Sequence, residues 1–82
     1  MYQPIGEEIS VAGVFARGQF QPTKFRWQNQ VYPIKEVTFT AQVRDGGVIY
    51  RFFSVLSGGN LYRLRFEPLA QHWQLQEIWC EG

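Results

Sequence analysis

Residues 37–67 read VTFTAQVRDGGVIYRFFSVLSGGNLYRLRFE. Two glycine pairs, Gly46-Gly47 and Gly58-Gly59, divide this stretch into three segments rich in β-branched and aromatic residues. Alternating segments between such turns read as strands joined by tight hairpins. Register follows from the loops. A Gly58-Gly59 loop sets Val55 against Tyr62, Phe53 against Leu64 and Arg51 against Phe66, and places Phe52 opposite Arg65 and Ser54 opposite Arg63 on the other face. At the earlier turn, a three-residue loop Asp45-Gly46-Gly47 pairs Val43 with Ile49, Phe39 with Phe53 and Val37 with Val55. It is preferred to an Asp45-Gly46 loop because a one-residue slip sends every side chain to the opposite face.

Upstream, KFRWQNQVYPI (24–34) forms another hairpin. An Asn29-Gln30 loop aligns Trp27 with Tyr32 and Phe25 with Ile34, leaving Arg26 outside opposite Pro33. Tyr32 and Ile34 are even-numbered core candidates whereas Val37 and Phe39 are odd, so a bulge or bend near Lys35-Glu36 is required. The predicted strands are 7–16, 23–28, 31–43, 48–57, 60–67 and 72–79. Gly13, inside the first, marks a bulge or a close backbone contact. No window has a helical apolar period. The expected fold is all-β: a six-stranded antiparallel meander curled into a small half-open barrel or roll, with an open sheet that dimerises through one face as the rival.

The chain of 82 residues makes a single domain, 1–82, whose three Trp, four Tyr and seven Phe supply the apolar area a short chain needs. One cysteine, Cys80, closes no internal disulfide and points to a reducing, cytoplasmic setting. No leader-like N-terminus and no long apolar run is present, so no membrane association is expected. Net charge is +1, yet residues 9–66 hold all eight Lys and Arg against Glu36 and Asp45 alone, a local +6. Glu7, Glu8, Glu67, Glu77 and Glu81 lie outside that stretch. If the chain ends return beside the basic strands, the field cancels.

Catalytic constellations are missing from this pattern. His72 has no Ser or Cys placed with it by any motif, and Glu36 and Asp45 stand most of a strand apart. One His and one Cys cannot complete a zinc site, and the DGG and SGG turns lack the Lys and Ser/Thr of a phosphate-binding loop. No enzyme activity, cofactor or metal is therefore expected. The face opposite the core of strands three to five is read as Thr38, Thr40, Gln42, Tyr50, Phe52, Ser54, Leu56, Arg63 and Arg65. Its candidate binding residues are Tyr50, Phe52, Arg63 and Arg65. These types are enriched at protein interfaces and fit a protein partner or a homodimer. Single-stranded nucleic acid, with bases stacked on the aromatics, is the alternative.

The landmarks FRWQNQVYPIKEV, RFFSV, LYRLRFE and HWQLQEIW, over about residues 20–79, resemble those of a small bacterial all-β domain. That domain occurs alone or appended to translesion-polymerase-like proteins of the Y family. The resemblance implies an accessory role near DNA repair and brings no catalytic residues.

Overall fold

The computed structural model describes residues 1–80. Its seven strands are β1 (Tyr2–Ala16), β2 (Gln19–Trp27), β3 (Gln30–Pro33), β4 (Glu36–Asp45), β5 (Val48–Ser57), β6 (Asn60–Glu67) and β7 (His72–Trp79). They form one antiparallel sheet in the order β3-β2-β1-β7-β6-β5-β4, curled into a half-barrel. The expected six strands become seven because the segment 31–43 divides at Ile34-Lys35, where the parity argument required a bend. Its first part, β3, pairs with β2, and its second part, β4, pairs with β5 at the other end of the sheet. Between them the Ile34 N–H donates to the Thr23 carbonyl at 2.9 Å and the Lys35 N–H to the Leu56 carbonyl at 2.8 Å. This two-residue bridge holds the sheet ends together at one end of the barrel. Beyond it β4 and β2 part.

At the chain ends β1 pairs with β7, and Cys80 and Met1 exchange backbone hydrogen bonds of 2.7 and 2.6 Å. Fully buried Phe25, Phe53, Val55, Leu64 and Leu75 form the centre of the core, with Ile9, Tyr62 and Ile78 beside them. Phe25 stacks on Tyr32 with 4.9 Å between ring centroids and meets the Tyr62 ring edge-on at 5.1 Å. The aromatic residues of the first hairpin are thus structural, and Trp27 is held by an indole N–H donated to Glu7 Oε1 at 2.9 Å. Among the described residues no helix is long and apolar enough to cross a membrane.

Two expected registers are corrected. The first hairpin turns at Gln28-Asn29, both with positive φ (52° and 62°), so Phe25 faces Tyr32 and Arg26 faces Val31. That is a two-residue shift, and period 2 leaves every side chain on its expected face. The second hairpin turns at Gly46-Gly47 alone (φ 58° and 86°), where both glycines take the left-handed conformation of a tight loop without steric cost. Asp45 therefore pairs with Val48, Val43 with Tyr50 and Thr40 with Phe53. The expected pairs Val43–Ile49 and Phe39–Phe53 do not form, and Phe39 is 59% exposed. A bulge at Thr38 absorbs the slip and restores Val37 opposite Val55.

The Gly13 expectation holds on both counts. The register shifts between Ala12 and Gly13, and a Cβ at Gly13 would strike the Gln21 carbonyl oxygen and lie 2.8 Å from Pro22 Cα. Gly13→Ala must open the β1–β2 pair, and we expect a loss of about 1–3 kcal/mol in urea unfolding, the range for overpacking. Phe25→Ala should lose about 3–5 kcal/mol by the same measurement.

Burial, and to a lesser extent the neighbouring Tyr62, lifts the Tyr32 phenol above its ordinary value of 10. Since the unfolded chain ionises first, this contribution to stability is complete below about pH 10 and declines as pH rises towards the folded value. Unfolding free energy measured against pH should fall less steeply above about pH 10 for Tyr32→Phe than for the parent protein.

Candidate binding face

The β5–β6 loop, Gly58-Gly59 with φ of 55° and 81°, sets Ser57 opposite Asn60 and propagates the expected register along both strands. Phe52 lies opposite Arg65 and Ser54 opposite Arg63. All four sequence-predicted residues, Tyr50, Phe52, Arg63 and Arg65, therefore share the outer face of the sheet, and each is half-buried. The guanidinium groups do not rest on their direct partners. Arg63 leans over Phe52 with its guanidinium carbon 4.7 Å from the ring centroid, and Arg65 leans over Tyr50 at 4.5 Å. Both are diagonal neighbours, within reach of long side chains on a twisted sheet. The ring faces of Phe52 and Tyr50 are consequently capped by cations.

The β4 portion of the expected face needs correction. Because the Gly46-Gly47 loop moves the register by one, Phe39, Ala41 and Val43 lie outside with Tyr50 and Phe52, whereas Thr40 and Gln42 turn inward. Thr38 occupies the bulge, its hydroxyl donating to the Ser54 carbonyl at 3.2 Å.

A row of outer-face residues was not foreseen. Leu56 pairs with Leu61, Leu61 with Trp79, and Trp79 with Tyr2, so an apolar ladder crosses β5, β6, β7 and β1. The Tyr2 and Trp79 rings lie 4.7 Å apart, and the two residues are 46% and 49% exposed. Leu56, Leu61, Trp79 and Cys80 line an open groove of about 560 Å³ beside Gly59. Two features hid this row. The expected first strand began at residue 7, which left Tyr2 unplaced, and a bulge in β7 reverses its faces between Leu75 and Glu77. The signal was present in the parity change from Trp73 and Leu75 to Ile78, all of which turn inward.

The chain ends do return beside the basic strands. Glu77 sits opposite Arg63 in the β6–β7 register, and Glu8 lies opposite Gln74, which itself pairs with Arg65. His72 Nε2 lies 3.5 Å from Glu8 Oε2, a well-exposed contact of small energetic weight. Arg65, Glu67 and His72 surround a cavity of only about 100 Å³. The outer face is therefore mixed in charge. Glu81, also counted in the acidic ends, lies outside the described residues. Among the described residues no three His, Cys, Asp or Glu side chains gather in a metal-holding group.

The Arg63–Phe52 contact predicts a measurable coupling. A double-mutant cycle of Arg63→Ala and Phe52→Leu, followed by thermal and urea unfolding, should give about 0.5–1 kcal/mol of interaction.

Comparison with protein-family models, with curated proteins and with solved structures finds no match to this chain.

Proposed function

We propose that this half-barrel is a non-enzymatic binding module that recognises a protein partner through the outer face of β5, β6 and β7. The observation that carries the reading is the apolar ladder Leu56–Leu61–Trp79–Tyr2, lying beside the cation-capped rings of Phe52 and Tyr50. Half-exposed Trp and Tyr next to Arg are the residue types that anchor protein interfaces, and a mixed charge border suits a polar rim. The contribution of Tyr50, Phe52, Arg63 and Arg65 is to flank the ladder with flat, stiffened surfaces that lose little freedom on binding.

A nucleic-acid ligand is less well supported by the same geometry. Guanidinium groups already occupy the ring faces that bases would use, and Glu77 and Glu8 offset the positive charge that a phosphate backbone requires. We assign the module to a reducing, cytoplasmic setting on the strength of the lone Cys80. An accessory role beside a translesion-type polymerase is the context implied by the landmark resemblance.

The test begins with light scattering to establish the oligomeric state, followed by quantitative capture with the parent protein and with Trp79→Ala, Leu61→Glu and Arg65→Ala. Specific partners retained by the parent should fall at least about tenfold for Leu61→Glu, the equivalent of roughly 1.4 kcal/mol. Capture unchanged in all three folded variants would reject this face. Titration with a single-stranded oligonucleotide at low salt, followed by Trp fluorescence, should be flat. Saturable binding that weakens as salt rises would favour the nucleic-acid reading instead.

A further inference from the structure

The two borders of the sheet are built differently. β3 has four residues and ends in Pro33, two features that blunt an edge against pairing. β4 has ten residues, and its VTFTAQV segment (37–43) contains no charge, Pro or Gly, so the Thr38 bulge is its only guard. The tight Gly46-Gly47 loop makes Asp45–Val48 a hydrogen-bonded pair. Antiparallel alternation then directs the N–H and C=O groups of Thr40, Gln42 and Arg44 away from β5 towards the free border.

That border overlooks a cleft. Where β4 parts from β2, a cavity of about 350 Å³ opens with Phe20, Pro22, Ile34, Val37 and Phe53 supplying its apolar walls. Its volume falls in the range of binding pockets, and Gln19, Gln21, Thr23 and Thr40 make the rest of its lining polar. Charge along the border is uneven. Lys35 and Glu36 stand together at one end of the cleft. Further along the border, beyond the residues that line the cleft, the Arg51 guanidinium lies 5.3 Å from the Phe53 ring centroid, and Arg44 lies on the same inner face of the sheet. Asp45, by alternation, belongs to the outer face, so the Arg44–Arg51 end keeps a net positive charge.

Unpaired amides in a row, apolar space beneath them and positive charge at one end specify the occupant. We propose that the β4 border is a strand-accepting site for an extended polypeptide segment running antiparallel to β4. Alternate apolar side chains of the segment enter the cleft, and an acidic residue near its N-terminal end meets Arg44 and Arg51. The main chain of the segment satisfies Thr40, Gln42 and Arg44, which no compact ligand could do in register. This site is separate from the ladder of Leu61 and Trp79, and failure at either leaves the other standing.

The probe is a soluble ten-residue peptide alternating Val and Thr behind two N-terminal Glu residues, titrated into isotopically labelled protein and followed by backbone amide shifts. Saturable changes should centre on Phe39–Arg44 and Phe53. A peptide headed by two Lys should bind at least about tenfold more weakly. Gln42→Pro removes one outward N–H at an edge position that tolerates Pro, and should abolish binding while the free protein keeps its spectrum. Arg44→Glu gives an independent arm, reversing the preference between the Glu-headed and Lys-headed peptides whether or not Gln42→Pro folds. The proposal is overturned by shifts that are absent or confined to Phe52, Leu61 and Trp79, or by a charge preference unmoved by Arg44→Glu. It is also overturned if a folded Gln42→Pro binds as the parent does, or if this border is closed by a second copy that the peptide does not displace.

Discussion

Two backbone hydrogen bonds govern this structure, from Ile34 N–H to the Thr23 carbonyl and from Lys35 N–H to the Leu56 carbonyl. The first extends the β2–β3 pairing and the second the β4–β5 pairing, so the Ile34–Lys35 link ties together the two ends of the sheet order. These bonds fix the link in place, so the borders β3 and β4 meet at one end and Phe25 and Phe53 share one core. With them, a single bent segment serves as the closing stave of a barrel, paired to β2 in its first part and to β5 in its second. The same bend leaves β4 clear of β2, so the closure at one end of the barrel and the cleft beside it have one cause.

A chain this short has few residues to spare for a separate core layer, and its response is to curl. Bulges at Gly6, Thr23, Thr38 and Gln76 interrupt four strand pairings, each adding local twist. The interior is then filled by few, large side chains. Trp73 alone contacts the rings of Phe20, Phe53 and Phe66, linking three strands through one indole. Aromatic residues at this density stabilise the domain through area and ring geometry where a larger protein would use many aliphatic side chains.

What could be read from the residues alone divides along a physical line. Strand existence, the Gly58-Gly59 register, the bend near Lys35 and the close approach at Gly13 were all legible, because each follows from local turn chemistry or from parity. The joining of β1 to β7 was not legible, since no loop connects them and their pairing is set by closure of the whole sheet. The Gly46-Gly47 register misled for a specific reason. Apolar matching favoured Phe39 against Phe53, but a pair of glycines makes the tight loop cheaper than the bulged one, and the mismatch was moved to Thr38. Of the candidate face, the four residues on β5 and β6 were placed together correctly because one hairpin contains them all. Trp79 and Tyr2 were missed because their neighbourhood depends on strands from opposite ends of the chain.

The hydrogen bonds exchanged by Met1 and Cys80 carry a topological consequence. Since β1 and β7 are neighbours, the sheet follows chain order from β4 to β7 and then from β1 to β3, and Met1 and Cys80 face each other across a gap of one strand spacing. A linker across that gap would leave every pairing intact and allow the chain to be reopened at Gly46-Gly47 or Gly58-Gly59. By the same geometry, the domain can be carried within a surface loop of a host protein, entering and leaving at one point without disturbing either fold.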